Sequence, residues 1–111
     1  MKLISKTETA TVFLVDSKTI ELITRCFDSV VTDLISDDIH TRIGCNIQEF
    51  IFVYDEIRCI KNNLLEIPNK YLFILYCTIC DSIHAIGMKN ITSEEEQHIE
   101  EIISFLQTFV K

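Results

Sequence analysis

The sequence predicts an all-α domain: a compact bundle of four to five helices, with a central buried helix around residues 68–86. Three observations carry this. Apolar residues recur at three- and four-residue spacing in four separate segments. The strongest chain breakers, Gly44, Gly87 and Pro68, fall at the borders of those segments. With 48% apolar and 24% charged residues over 111 positions, the chain can fill one core and matches one globular domain, residues 1–111, rather than a disordered composition.

The first helix is expected over about 18–36. Ile20, Ile23, Cys26, Phe27, Val30, Val31, Leu34 and Ile35 form one stripe, and Glu21, Arg25, Asp28 and Asp33 fall outside it. Asp16 or Ser17 can cap its start. A polar stretch then leads to Gly44.

The second helix is expected over about 47–63. Asn46 and Glu49 have the spacing of a reciprocal cap. Ile47, Phe50, Ile51, Tyr54 and Ile57 share a face, which Val53, Ile60 and Leu64 widen. Residues 50–54 are also β-prone and offer a strand as the rival reading. The flanking Gln48, Glu49, Asp55 and Glu56 favour helix.

The third helix opens on Pro68, a good first-turn residue, and closes at Gly87, a good helix-ending residue. It is apolar on nearly every side. Only Thr78, Asp81 and Ser82 mark a polar stripe, read as a hydrogen-bonded stripe facing solvent. A helix apolar all round belongs inside a bundle.

The fourth helix has Thr92 with Glu95, or Ser93 with Glu96, as its capping box. Ile99, Ile102, Ile103, Leu106, Phe109 and Val110 follow as one stripe. Residues 1–15 read both ways. Thr7, Thr9, Thr11, Val12 and Val15 favour a strand, whereas Ser5 with Glu8 can cap a short helix. Helix is the preferred reading. An α+β domain with a short N-terminal strand or hairpin is the alternative.

Chemistry-bearing motifs are sparse. Cys77, Cys80 and His84 lie on one side of a helix and form the one metal-like or thiol-like cluster. A metal needs three or four converging ligands, and no second cluster has matching spacing. A redox cysteine pair belongs at a helix N-terminus, where the dipole lowers the thiol pKa, and this pair lies in mid-helix. The five cysteines read as small buried hydrophobes of a reducing compartment. No metal and no cofactor are expected. Two glycines 43 positions apart leave no phosphate-cradling loop, and HExxH, GxSxG and EF-hand patterns are missing. His40, His84 and His98 have no nucleophile at a recognisable spacing, and His98 reads as a solvated residue among Glu94, Glu95 and Glu101. The chain is therefore not expected to be an enzyme.

No secretory h-region follows the N-terminus, and the longest apolar run, 71–77, is far short of the about 18 residues that suggest a membrane span. A cytoplasmic location is expected. The formal charge of −7 disfavours nucleic acid and anionic lipid as direct partners. Its distribution is uneven. Residues 16–38 hold Asp16, Glu21, Asp28, Asp33, Asp37 and Asp38 against Lys18 and Arg25. Residues 92–111 hold Glu94, Glu95, Glu96, Glu100 and Glu101 against Lys111. Asp33, Asp37 and Asp38 crowd what this reading takes as the negative end of the first helix, where carboxylates are unfavourable. A solubilising face is the commoner explanation of such carboxylates, and a docking surface for a basic partner is the other.

The profile suits a small acidic inhibitor of the immunity-protein or antitoxin kind, which neutralises a basic, nuclease-type toxin by direct binding. Asp28, Asp33, Asp37, Asp38, Glu49, Asp55 and Glu56 are the expected partner-binding residues. The alternatives are a viral or phage inhibitor of a host defence protein, and a small enzyme or metal/thiol domain built on Cys77, Cys80 and His84.

Overall fold

The computed structural model describes residues 1–33, 36–88 and 90–109, with residues 33, 36–38, 85 and 86 described by backbone alone. It corrects the expected all-α class to α+β. Strands β1 (Lys2–Lys6), β2 (Ala10–Leu14) and β3 (Leu64–Pro68) form an antiparallel sheet in the order β1-β2-β3. The α-helices among the described residues are α1 (Ser17–Asp33), α2 (Ser36–Ile43), α3 (Ile47–Arg58), α4 (Leu72–Asp81) and α5 (Ser93–Gln107). The alternative with an N-terminal hairpin is the one that forms.

Local chemistry explains the hairpin. The Thr7 amide donates to the Ala10 carbonyl at 2.9 Å, and the Thr7 hydroxyl accepts from the Ala10 amide at 3.1 Å, so Thr7 closes the turn. In β2 Thr11 and Phe13 face inward; in β3 Leu65 and Ile67 do. These form period-two patterns, paired Thr11 to Ile67 and Phe13 to Leu65. Ser5 and Glu8, expected to cap a helix, lie instead in β1 and in the turn after it.

The second segment also ends earlier than expected. Ile57, Ile60 and Leu64 keep helical spacing, yet α3 stops at Arg58. Asn62 and Asn63 then take left-handed φ values of 56° and 60°, which asparagine tolerates better than most residues. They turn the chain into β3, and the Asn63 carbonyl accepts from the Val15 amide at 2.7 Å. The rival strand at 50–54 is helix. Its cap is in place: the Asn46 side chain accepts from the Glu49 amide at 2.8 Å, and the Asn46 amide donates to the Glu49 carboxylate at 3.2 Å.

Pro68 closes β3 rather than opening a helix. Its φ of −56° and ψ of 135° are extended, and a short 3₁₀ turn, Asn69–Tyr71, intervenes before α4. A π-helical turn, Ser82–Ile86, extends α4 to Gly87, whose φ of 77° ends it. The polar stripe expected to face solvent faces inward: Thr78 and Ser82 are fully buried. The stretch expected to be polar linker is α2, because Ile39 and Ile43, four residues apart, both bury.

The core has two centres. Phe27 of α1 stacks on Phe50 and Tyr54 of α3, with ring centroids 5.3 and 5.7 Å away. Phe13 of β2 meets Phe105 and Phe109 edge-on. Between them, α4 packs against α1, α2, α3 and α5, with Ile74, Leu75 and Ile79 fully buried. Among the described residues no helix is long and apolar enough to cross a membrane.

Candidate functional site

Two of the expected partner-binding carboxylates, Asp28 and Asp55, come together beside Tyr54 on the face shared by α1 and α3. Asp28 is exposed on α1 and accepts a hydrogen bond from the Tyr54 hydroxyl of α3. The Tyr54 ring is clamped: it stacks on Phe27 on one side, and the Arg58 guanidinium lies 5.2 Å from its centroid. Burial, reinforced by the Asp28 carboxylate, pushes the Tyr54 hydroxyl above its ordinary pKa, so it stays protonated and keeps donating. Asp55 is exposed beside Tyr54, and its Oδ1 lies 3.9 Å from Arg58 Nη1. That exposed pair is weak, which leaves Asp55 available. Glu56 is half-buried on α3.

Uncovered aliphatic side chains share these helix faces. Val31 follows Asp28 by three residues and is 47% exposed; Ile51 precedes Asp55 by four and is 46% exposed. Residues at that spacing are neighbours on a helix surface.

The other expected residues stand elsewhere. Glu49 is occupied in the Asn46 cap, a structural role. The side chains of Asp33, Asp37 and Asp38 lie outside the described residues. Their backbone positions still correct one argument. Asp37 and Asp38 fall in the first turn of α2, not at the end of α1. There the helix dipole favours negative charge, so placement at a cost does not hold for these two.

The two acidic helices, α1 and α5, are joined by cations. Lys18 Nζ and Arg25 Nη1 of α1 lie 2.7 and 3.0 Å from Glu95 Oε2 of α5. Glu95 also accepts from the Thr92 amide as part of its cap, while its own amide donates to the Thr92 hydroxyl. The Lys18 ammonium, then the cap amide and Arg25, hold the Glu95 carboxyl down to about 2, from an ordinary 4.5. A carboxylate whose pKa is depressed by folding adds stability above its unfolded value, and that stability is lost as pH falls toward the folded value. The melting temperature should therefore fall between about pH 5 and pH 2. Glu95→Gln should melt earlier at neutral pH and show a flatter acid limb in a thermal scan series. A variant with the acid limb of the parent would remove Glu95 from this role.

Below this seam, His98 is not a solvated residue. Its Nε2 lies 2.9 Å from the hydroxyl of the fully buried Thr19. That hydroxyl donates to Asp16, so the histidine nitrogen must donate to Thr19. With its proton committed and its oxygen buried, Thr19 is a strut between α1 and α5 and not an activated nucleophile. Residues 79 positions apart make this contact, which no motif spacing could announce.

Cys77, Cys80 and His84 do line one groove, of about 290 Å³, together with Arg42, Tyr76 and Asp81. Arg42 Nη2 donates to Asp81 Oδ1 at 2.8 Å, and Asp81 Oδ2 is buried without a partner among the described residues. His84 Nε2 is drawn to Glu100 Oε1 at 3.1 Å. Among the described residues no group of three or more histidine, cysteine or acidic side chains converges as a metal site. Burial pushes the Cys77 and Cys80 thiols above their ordinary pKa, so neither is a ready thiolate at neutral pH. Cys26 and Cys45 are buried and pushed up to about 11, whereas Cys59 is exposed. The groove thus offers one ion pair among neutral thiols.

The sequence reading missed Tyr54 as the residue that positions Asp28. Its signal was a tyrosine on an otherwise apolar helix stripe, since a buried ring with a hydroxyl needs a polar partner for its tip. In comparison with known proteins, no family model, no curated protein and no solved structure matches this chain.

Proposed function

We propose that this chain is a small protein-binding inhibitor that neutralises a basic, nuclease-type toxin by direct docking, in the manner of an immunity protein or antitoxin. One observation carries the reading. The α1–α3 face combines uncovered aliphatic side chains with a carboxylate fixed in place by a clamped tyrosine. A carboxylate ordered before binding loses little freedom on binding. Asp28 and Asp55 then stand where substrate phosphates would meet the cations of a nuclease. Val31 and Ile51 supply the apolar contact that specific interfaces bury. The net charge of −7 steers such a partner toward the face.

The test uses the product of the adjacent reading frame as the partner. That product should be basic, should arrest growth when expressed alone, and should be neutralised by this chain. The double substitution Asp28→Asn with Asp55→Asn should leave the melting temperature nearly unchanged, because asparagine still accepts from Tyr54. It should slow association by about tenfold at low salt and flatten the salt dependence. A neighbour that is harmless alone, or a double variant that binds and protects like the parent, sinks the proposal.

A further inference from the structure

The hairpin leaves an edge that the α1–α3 face does not involve. Strand β1 pairs with β2 along one side, and no described strand pairs along its other side. All five of its residues are exposed, with Leu3 at 38% and Ile4 at 52%. An open edge with exposed aliphatic residues is a template for another strand.

Two features decide which strand it accepts. Lys2 and Lys6 stand at the two ends of β1, and neither makes an ion pair among the described residues. A second copy of β1 laid antiparallel along this edge brings its own two lysines to the same short stretch. Four ammonium groups gathered on one short ladder repel, so the edge is guarded against its own copy. A strand with a carboxylate beside each lysine, one on either face, converts that repulsion into attraction. The bulge between Leu3 and Ser5 sets these cations on both faces of the sheet. Lys2 shares the outer face with Leu14, and Lys6 shares the inner face with Thr11.

The inner face beside β1 is also incompletely covered. Leu3 pairs with Phe13, whose ring meets Phe105 and Phe109 of the α5 end. Both of those rings are half-buried, and Lys6 Nζ lies 5.4 Å from the Phe109 centroid. A fourth strand, about 4.8 Å beyond β1, turns every second side chain toward this end of α5. Backbone pairing then supplies affinity, and the rings with the two lysines supply selection.

We infer that β1 is a docking edge for an extended segment of a partner protein, a segment with an acidic residue at each end of a short aliphatic run. The inference stands apart from the α1–α3 reading and survives its failure.

The probe is a short acetylated peptide of valines flanked at each end by glutamates, titrated into the full chain and followed by fluorescence anisotropy. Amide hydrogen exchange, residue by residue, locates the site. Binding should slow exchange within Lys2–Lys6 and perturb Phe105 and Phe109. Lys2→Glu with Lys6→Glu should keep the parent melting temperature and weaken the peptide by at least about tenfold. The same variant should gain affinity for the valine–lysine counterpart, a charge reversal that a merely unfolded edge could not show. Protection that appears on β3 instead of β1 would overturn the inference. So would equal binding of the acidic peptide by parent and variant, or sedimentation showing that the parent dimerises through β1.

Discussion

Replacing Phe13 by alanine is expected to lower the unfolding free energy by about 3–5 kcal/mol. Phe13 is fully buried in β2, where it closes the space between the sheet and α5. Its ring lies 5.9 Å from that of Phe105 at 69° and 5.6 Å from that of Phe109 at 83°. These are edge-to-face contacts, each worth about 0.5–1.5 kcal/mol beyond the area they bury. Alanine loses both and leaves a cavity that a hydrogen-bonded sheet cannot collapse to fill. Against a total stability of about 5–15 kcal/mol for a domain, this is a large fraction. Urea denaturation followed by far-ultraviolet circular dichroism checks it. The midpoint should fall sharply, with helix and sheet lost in one transition. A near-neutral substitution would mean that the hairpin merely rests against the helices.

The second large effect is expected at Leu75, whose truncation to alanine should cost about 2–5 kcal/mol. Leu75 is fully buried in α4, the helix that touches α1, α2, α3 and α5. The size of the loss depends on how far the surroundings can relax into the vacated space. Relaxation is restricted here, because Ile74 and Ile79 on the same helix are also fully buried. Thermal unfolding with matched denaturant curves measures it. A loss below that of an exposed leucine such as Leu64 would show that α4 is not the centre of packing.

The elements legible in the sequence are those whose evidence lies within one or two helical turns. Asn46 with Glu49 and Thr92 with Glu95 are reciprocal caps in the structure as the spacing predicts. A cap is a contact between residues three apart, so the sequence contains both partners in view. The apolar stripes of α1 and α5 are largely legible for the same reason: Ile23, Cys26, Phe27 and Val30, then Ile99, Ile102, Ile103 and Leu106, are all buried, whereas Val31 of the first stripe is exposed. Of the candidate site, the sequence names Asp28 and Asp55 but does not say that Tyr54 holds the first of them.

What the sequence by itself determined is therefore the helical caps, the buried stripes and the uneven charge. Tertiary structure decided the rest. Thr7, Thr11 and Val12 are compatible with either class until β3 arrives. The Thr11 hydroxyl then donates to Asn69, 58 residues away, at 2.6 Å, and β2 pairs along Leu64–Pro68. Strand pairing satisfies backbone groups through a distant segment, whereas a helix satisfies them locally, so only the folded chain can choose. The same distance separates the side chains of interest. Arg42 reaches Asp81 across 39 residues, Tyr54 reaches Asp28 across 26, and Thr19 reaches His98 across 79. Each pair is brought together by helix packing, and no periodicity within one segment encodes which face of one helix will meet which face of another.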